Sequence, residues 1–256
     1  MAGPSKASIL LDAAEKISAD FGMLLSKARV PNSGQARIAA CLCLTIAEIH
    51  IAVLAVLRSQ AQSHAPVLVR SMHEALADLR NLLADARYLD QMRFDNADQV
   101  LKTFKGFIDD PDLKDMEEAL KFLSECAGIE QEIYDELKGK GLKPLGAAGK
   151  FKRANMAGEY ATAYRFLCSF SHTDLNTLLA RHAGNGHLRF TDPLPSETLV
   201  GMLGLALSLY AHALDTTPKY SDLSTDLVKG AIQAADKMWI RAVEAAGSAI
   251  ISDGSD

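Results

Sequence analysis

The sequence predicts an all-α protein, a multi-helix bundle with at most one short β-hairpin. Three observations point there. Apolar residues recur at three- and four-residue steps along most of the chain, the period of an amphipathic helix. One segment, Ile38 to Leu57, is apolar nearly all round. Strand signals are confined to one place, Asn185-Gly186, a tight-turn pair whose flanks suit a short hairpin.

The elements follow in order. Ser5 to about Lys27 reads as a helix on Ile9, Leu10, Ala13, Ile17 and Phe21, and Pro31-Asn-Ser-Gly34 stops it. A second helix, about Gly34 to Ser59, is expected to be the most buried element. A third starts near Pro66 and runs to about Leu89 or Phe94, with Leu68, Met72, Leu76, Leu79 and Leu83 as its apolar stripe. Asn96 to Ile108 reads as a short helix, and Asp109-Asp-Pro-Asp112 breaks it and opens another to about Ala127. From Asp109 to Glu136 there are eleven acids against two lysines, a negative, solvated helical surface.

Lys138 to Arg153 reverses the sign. Lys138, Lys140, Lys143, Lys150, Lys152 and Arg153 are interleaved with four glycines and Pro144, which reads as a basic, flexible loop. It leads into a helix from about Ala154 to Ser169, or on to Leu179. Ser171-His-Thr-Asp174 also has the form of a capping box, so a new helix could start there. Ser196 caps a helix to about Leu214, and a last helix runs from about Leu223 to Ile250.

With 256 residues, 48% apolar and 23% charged, the chain has ample material for a core. It reads as one helical domain over 1–256, its core at about 5–250 and a frayed tail at 251–256. The net charge of −5 argues against wholesale coating of nucleic acid but leaves room for a local basic patch. Cys41, Cys43, Cys126 and Cys168 make no CxxC pair, hence no zinc spacing and no disulfide framework; reduced thiols and a cytoplasmic location are expected. No signal peptide is visible at the start. Ile38 to Leu57 has the length of a membrane span, but Glu48 and His50 fall near its middle and no second clear span accompanies it. The expectation is a core helix and no membrane.

The chemistry centres on Tyr160 to Asn176. Arg165 stands seven residues before His172, nearly two turns, so on an unbroken helix both side chains share a face. A guanidinium beside an imidazole can hold a phosphate and move a proton. Ser169, close to both in sequence, could orient either. Metal chemistries fail on spacing: Glu48-Ile-His50 and His73-Glu74 lack the Glu-x-x-His step, and His73-Glu-Ala-Leu-Ala77 fails as a zinc-protease motif. No metal and no cofactor are expected, although His50, Glu74 and His172 could meet across a bundle.

Arg165, six residues, then His172, in a helical protein, resembles the ribonuclease motif of the HEPN superfamily (higher eukaryotes and prokaryotes nucleotide-binding). Phe166 stands where that motif usually has a polar residue. The wider arrangement resembles a bacterial family of uncharacterised all-helical proteins with an Arg-x-x-x-Glu helix, here Arg70 to Glu74, and a Tyr-x-x-Leu-x-x-x-x-His stretch, here Tyr164 to His172. The resemblance implies a metal-independent endoribonuclease of a defence or toxin-type system, working as a homodimer on RNA. Arg165 would clamp phosphate and His172 would act as acid or base, supported by Ser169, Tyr164, Arg70 and Glu74. The lysines of the basic loop and Arg153 would contact the RNA backbone. The alternatives are a non-catalytic helical binding or sensor module and a helical bundle holding a metal or small ligand.

Overall fold

The structure, a computed structural model, describes residues 5–171, 174–183, 188 and 194–252. Its elements are α1 (Lys6–Leu25), α2 (Gly34–Arg58), α3 (Ala65–Ala84), α4 (Tyr88–Ile108), α5 (Glu117–Gly139) and α6 (Ala147–Arg153). A short α7 (Ala157–Glu159) passes through a π-helical turn, Tyr160–Tyr164, into α8 (Arg165–Ser171). Then come α9 (Leu175–His182), α10 (Ser196–Asp215) and α11 (Thr225–Ser252). The all-α expectation holds. Of the hairpin, the described residues show a single antiparallel bridge, Ala183 to Leu188; its turn, Asn185-Gly186, lies outside them.

One core is shared by α1, α2, α3 and α10, with α11 laid along α1 and α8 against α3. Ser5 and Ser33 each accept a bond from the backbone N–H three residues on, fixing where α1 and α2 begin. Ile46, Val53, Leu54 and Leu57 of α2 are buried, and Arg58 ties its end to Glu15 and Asp12 of α1.

Burial of α2 is one-sided, and it is not the most buried element expected: nine of its 25 residues are buried, against ten of the 20 in α3. Arg37, Cys41, Leu44, Glu48, Ile51 and Ala55 make an exposed stripe at alternating four- and three-residue steps, with Leu44 49% and Ile51 60% exposed. Composition revealed only that α2 could be enclosed; the number of partner helices left one face open. A second apolar segment, Ser196–Lys219, also proves long enough to cross a membrane by length and composition, and it too packs within the bundle.

Three boundaries differ from the sequence reading. The third helix stops at Ala84 because the Asp85 carboxylate accepts from the backbone N–H and the guanidinium of Arg87, a local turn that competes with helix continuation. α4 therefore begins at Tyr88, well before Asn96. α5 continues past Ala127 to Gly139, its seam against α4 held by the stacked rings of Phe94 and Tyr134, 4.9 Å apart. Gly141, at φ 85°, closes its end, where Leu142 N–H reaches the Leu137 carbonyl. Finally, α10 is preceded by Pro195 with no side-chain cap, so Ser196 opens the helix without capping it.

His50 is fully buried in α2, its Nδ1 3.2 Å from the Ser18 hydroxyl and its ring 5.3 Å from that of Tyr210. Burial pushes its pKa down to about 4. The unfolded chain, near the ordinary 6.5, then binds the proton more readily between those values. Stability is thus full above about pH 6.5 and falls as pH drops toward 4, by an amount on the order of 3 kcal/mol from this group. His73, also pushed down by burial, adds in the same direction. Urea unfolding at pH 7 and pH 4.5 should show His50→Gln losing markedly less stability than the wild type; identical losses would contradict this assignment.

Candidate functional site

α3 carries a polar ridge on the face that meets α6 and α8. Arg70, Glu74 and Asp78 stand at successive four-residue steps, so they line up along one side of the helix. Each finds a partner far away in sequence or one turn along. The Tyr164 hydroxyl donates to the Glu74 carboxylate at 2.6 Å, and Arg70 Nε donates to the same oxygen at 3.1 Å. The Arg70 guanidinium also lies 5.5 Å from the centre of the Tyr164 ring. Further along, Asp78 accepts from the Tyr88 hydroxyl at 2.6 Å and from Lys150 Nζ at 3.3 Å.

Electrostatics follow from this packing. Burial raises the Tyr164 pKa, and its bond to Glu74 raises it further, so the hydroxyl stays a proton donor. Burial works against the Arg70 charge, but its bond to Tyr164 and the charges around it outweigh that and the net direction is up. Arg70 is therefore a fixed cation, and Tyr164 a fixed, neutral donor.

The π-helical turn Tyr160–Tyr164 is the local device that aims this tyrosine. One extra residue per turn lets Tyr160 and Tyr164 stack, 5.3 Å apart, over the buried ring of Phe151. Phe151 in turn lies on His73, whose Nδ1–H donates to the Val69 carbonyl. α6 is fastened beneath by Asn81, whose amide donates to the Lys150 carbonyl at 3.0 Å.

The structure thus brings Arg70, Glu74 and Tyr164 into one cluster. Arg165 follows immediately, exposed on α8, with no ion pair to a described residue. Ser169 donates its hydroxyl to the Phe166 carbonyl of its own helix, at 2.7 Å, and is not directed at Arg165. His172 lies outside the described residues. Asp174 is non-helical and precedes α9, whose Thr177 N–H bonds its carboxylate, so the unbroken helix to Leu179 is not formed. α8 is described as far as Ser171, one residue short of His172, so the alignment of Arg165 with His172 lies outside the described residues.

The basic segment is also more ordered than a flexible loop. Lys150, Lys152 and Arg153 sit on α6, which Asn155 ends in a left-handed conformation, φ 56°. Several of its charges are engaged: Lys150 with Asp78, Arg153 with Asp85 and over the Tyr88 ring, Lys140 with Glu136, and Lys138 over the Tyr134 ring. Lys143 and Lys152 are exposed and make no ion pair with a described residue.

The three-way meeting of His50, Glu74 and His172 has no support at its first two members: His50 faces Ser18 and Tyr210, while Glu74 faces Tyr164. Among the described residues no group of three metal-ligating side chains converges. Asp78 and Tyr88 escaped the sequence reading. The four-residue rhythm from Arg70 through Glu74 to Asp78 was the available signal, but nothing in it named the partners.

The Tyr164–Glu74 bond is open to a double-mutant cycle. Tyr164→Phe and Glu74→Ala, singly and together, should show a coupling of about 1 kcal/mol in urea unfolding, a modest figure because the carboxylate is half-exposed. Additivity within about 0.3 kcal/mol would say that the bond does not hold α8 to α3.

No curated protein and no solved structure matches this chain. A family model does match, over residues 36–187, and these residues span the ridge of α3, the basic segment and the π-turn helix. The chain belongs to that family, the family of unknown function DUF5677.

Proposed function

We propose that the protein acts on RNA as a HEPN-like, metal-independent endoribonuclease of a bacterial defence or toxin-type system. The observation that carries this reading is the Tyr164–Glu74–Arg70 cluster. It anchors the helix start from which Arg165 projects into solvent, next to a segment whose Lys143 and Lys152 are open to a phosphate backbone. Arg165 binds the scissile phosphate and stabilises the charge that develops on it. His172 exchanges the proton at the 2′-hydroxyl. Tyr164, Glu74 and Arg70 position, and do not themselves react.

A second reading, a non-catalytic helical binding module, draws on the ion pairs of Lys150 and Arg153, which give much of the basic segment a structural role. We further propose a homodimer in the cytoplasm. The exposed stripe of α2 supports self-association: in an antiparallel pairing that sets Cys41 against the partner's Leu44, Arg37 falls opposite the partner's Glu48.

Purified protein incubated with total RNA in the presence of chelator should cut it, and Arg165→Ala and His172→Ala should each abolish cutting while leaving stability intact. Wild type that binds RNA without cutting it would assign the binding module; cleavage that survives both substitutions would refute the roles of these residues. Lys143→Gln with Lys152→Gln should weaken RNA binding alike for all sequences and reduce the salt slope by about 0.7 per lost contact. Lys150→Gln should instead lower stability. Light scattering should give a dimer mass for wild type and a monomer for Leu44→Glu; a monomeric wild type at micromolar concentration would refute the assembly.

A further inference from the structure

A groove of about 520 Å³ runs between α1, α10 and α11. That volume suits a small molecule. Its floor is apolar: Ile17 and Phe21 of α1 and Leu207 of α10 are all buried. Trp239 of α11 forms one wall, half-buried, and Gly204 of α10 lies beneath it, where a Cβ would stand in ordinary contact, 3.9 Å from the indole, and only a larger side chain would fill the slot.

The rim is polar and unbalanced. Asp215 and Asp236 are exposed and neither is held in an ion pair by a described residue. Asp215 also borders a neighbouring cleft that carries Arg80 and Lys219; Asp236 borders the groove and not that cleft. Asp236 stands three residues before Trp239, so carboxylate and indole lie side by side on α11. Lys229, seven residues earlier, is about 10 Å away along the helix and does not neutralise that end.

We propose that this groove binds a small organic ammonium ion with an apolar body. The body lies in the slot over Phe21 and Leu207. The ammonium sits against Asp236 and the indole face of Trp239, a pairing that combines a charge-assisted hydrogen bond with cation–π attraction. This site is separate from the RNA-acting cluster and does not rest on it.

Trp239 is the chain's one tryptophan, so intrinsic fluorescence reports on the groove directly. Phenethylammonium, phenethyl alcohol and phenylacetate, alike in body and different in charge, are titrated into the full-length protein. Phenethylammonium should give a saturable change, the alcohol should bind at least about tenfold more weakly, and phenylacetate weaker still. Asp236→Asn should weaken phenethylammonium about tenfold with the helical circular dichroism unchanged, and Gly204→Leu should abolish the response. No saturable change, binding of the alcohol or phenylacetate as tight as that of the ammonium, or an unaltered Asp236→Asn would overturn the assignment. Because Asp236 is exposed, its substitution remains informative if Gly204→Leu fails to fold.

Discussion

The hydrogen bond from the Tyr164 hydroxyl to the Glu74 carboxylate is the contact on which the candidate site depends. It joins residues ninety positions apart, at 2.6 Å, and it is made where α8 starts. Without it, α8 would be held to α3 chiefly by Leu167 and the aromatic cluster, which fix position across the helix but not rotation about its axis. Arg70 shares the same carboxylate oxygen and supplies the compensating charge. A carboxylate that accepts from both a phenol and a guanidinium is a directional joint, whereas apolar packing tolerates repacking.

The same ridge accounts for the basic segment. Asp78 and Asp85 draw in Lys150 and Arg153, and Asn81 secures the backbone of α6. A glycine- and lysine-rich stretch thereby ends in a helix whose Lys150 and Arg153 turn inward to Asp78 and Asp85, while Lys152 on it and Lys143 ahead of it face water. Those two groups differ in what they can do. Inward cations contribute to folding and are unavailable to a polyanion, while outward ones are free to displace counterions.

Much of the fold could be read from the sequence because helical periodicity is local. α1, α2, α10 and α11 were placed to within a few residues by their apolar steps and their punctuation. The boundary between α3 and α4 was missed because the apolar rhythm runs on through Tyr88, while the turn at Asp85 depends on the hydrogen bonds of one side chain. The length of α5 was missed because its seam is with α4 and few of its residues are fully buried. At the site, Arg70 and Glu74 were visible as a pair along one helix, and Tyr164 as part of a motif. Their meeting was not legible, since it depends on the π-turn and on the packing of Phe151, both products of tertiary structure. The exposed stripe of α2 was invisible for the same reason: apolar composition does not say how many neighbours a helix will have.

Native-state hydrogen exchange on wild type and Tyr164→Phe tests most directly whether this joint holds the Arg165-bearing helix. The amides of Arg165 to Ser171 should lose protection in the variant while those in the middle of α2 keep theirs. Unchanged protection across α8, or an equal loss throughout the bundle, would contradict the role given to the Tyr164–Glu74 bond.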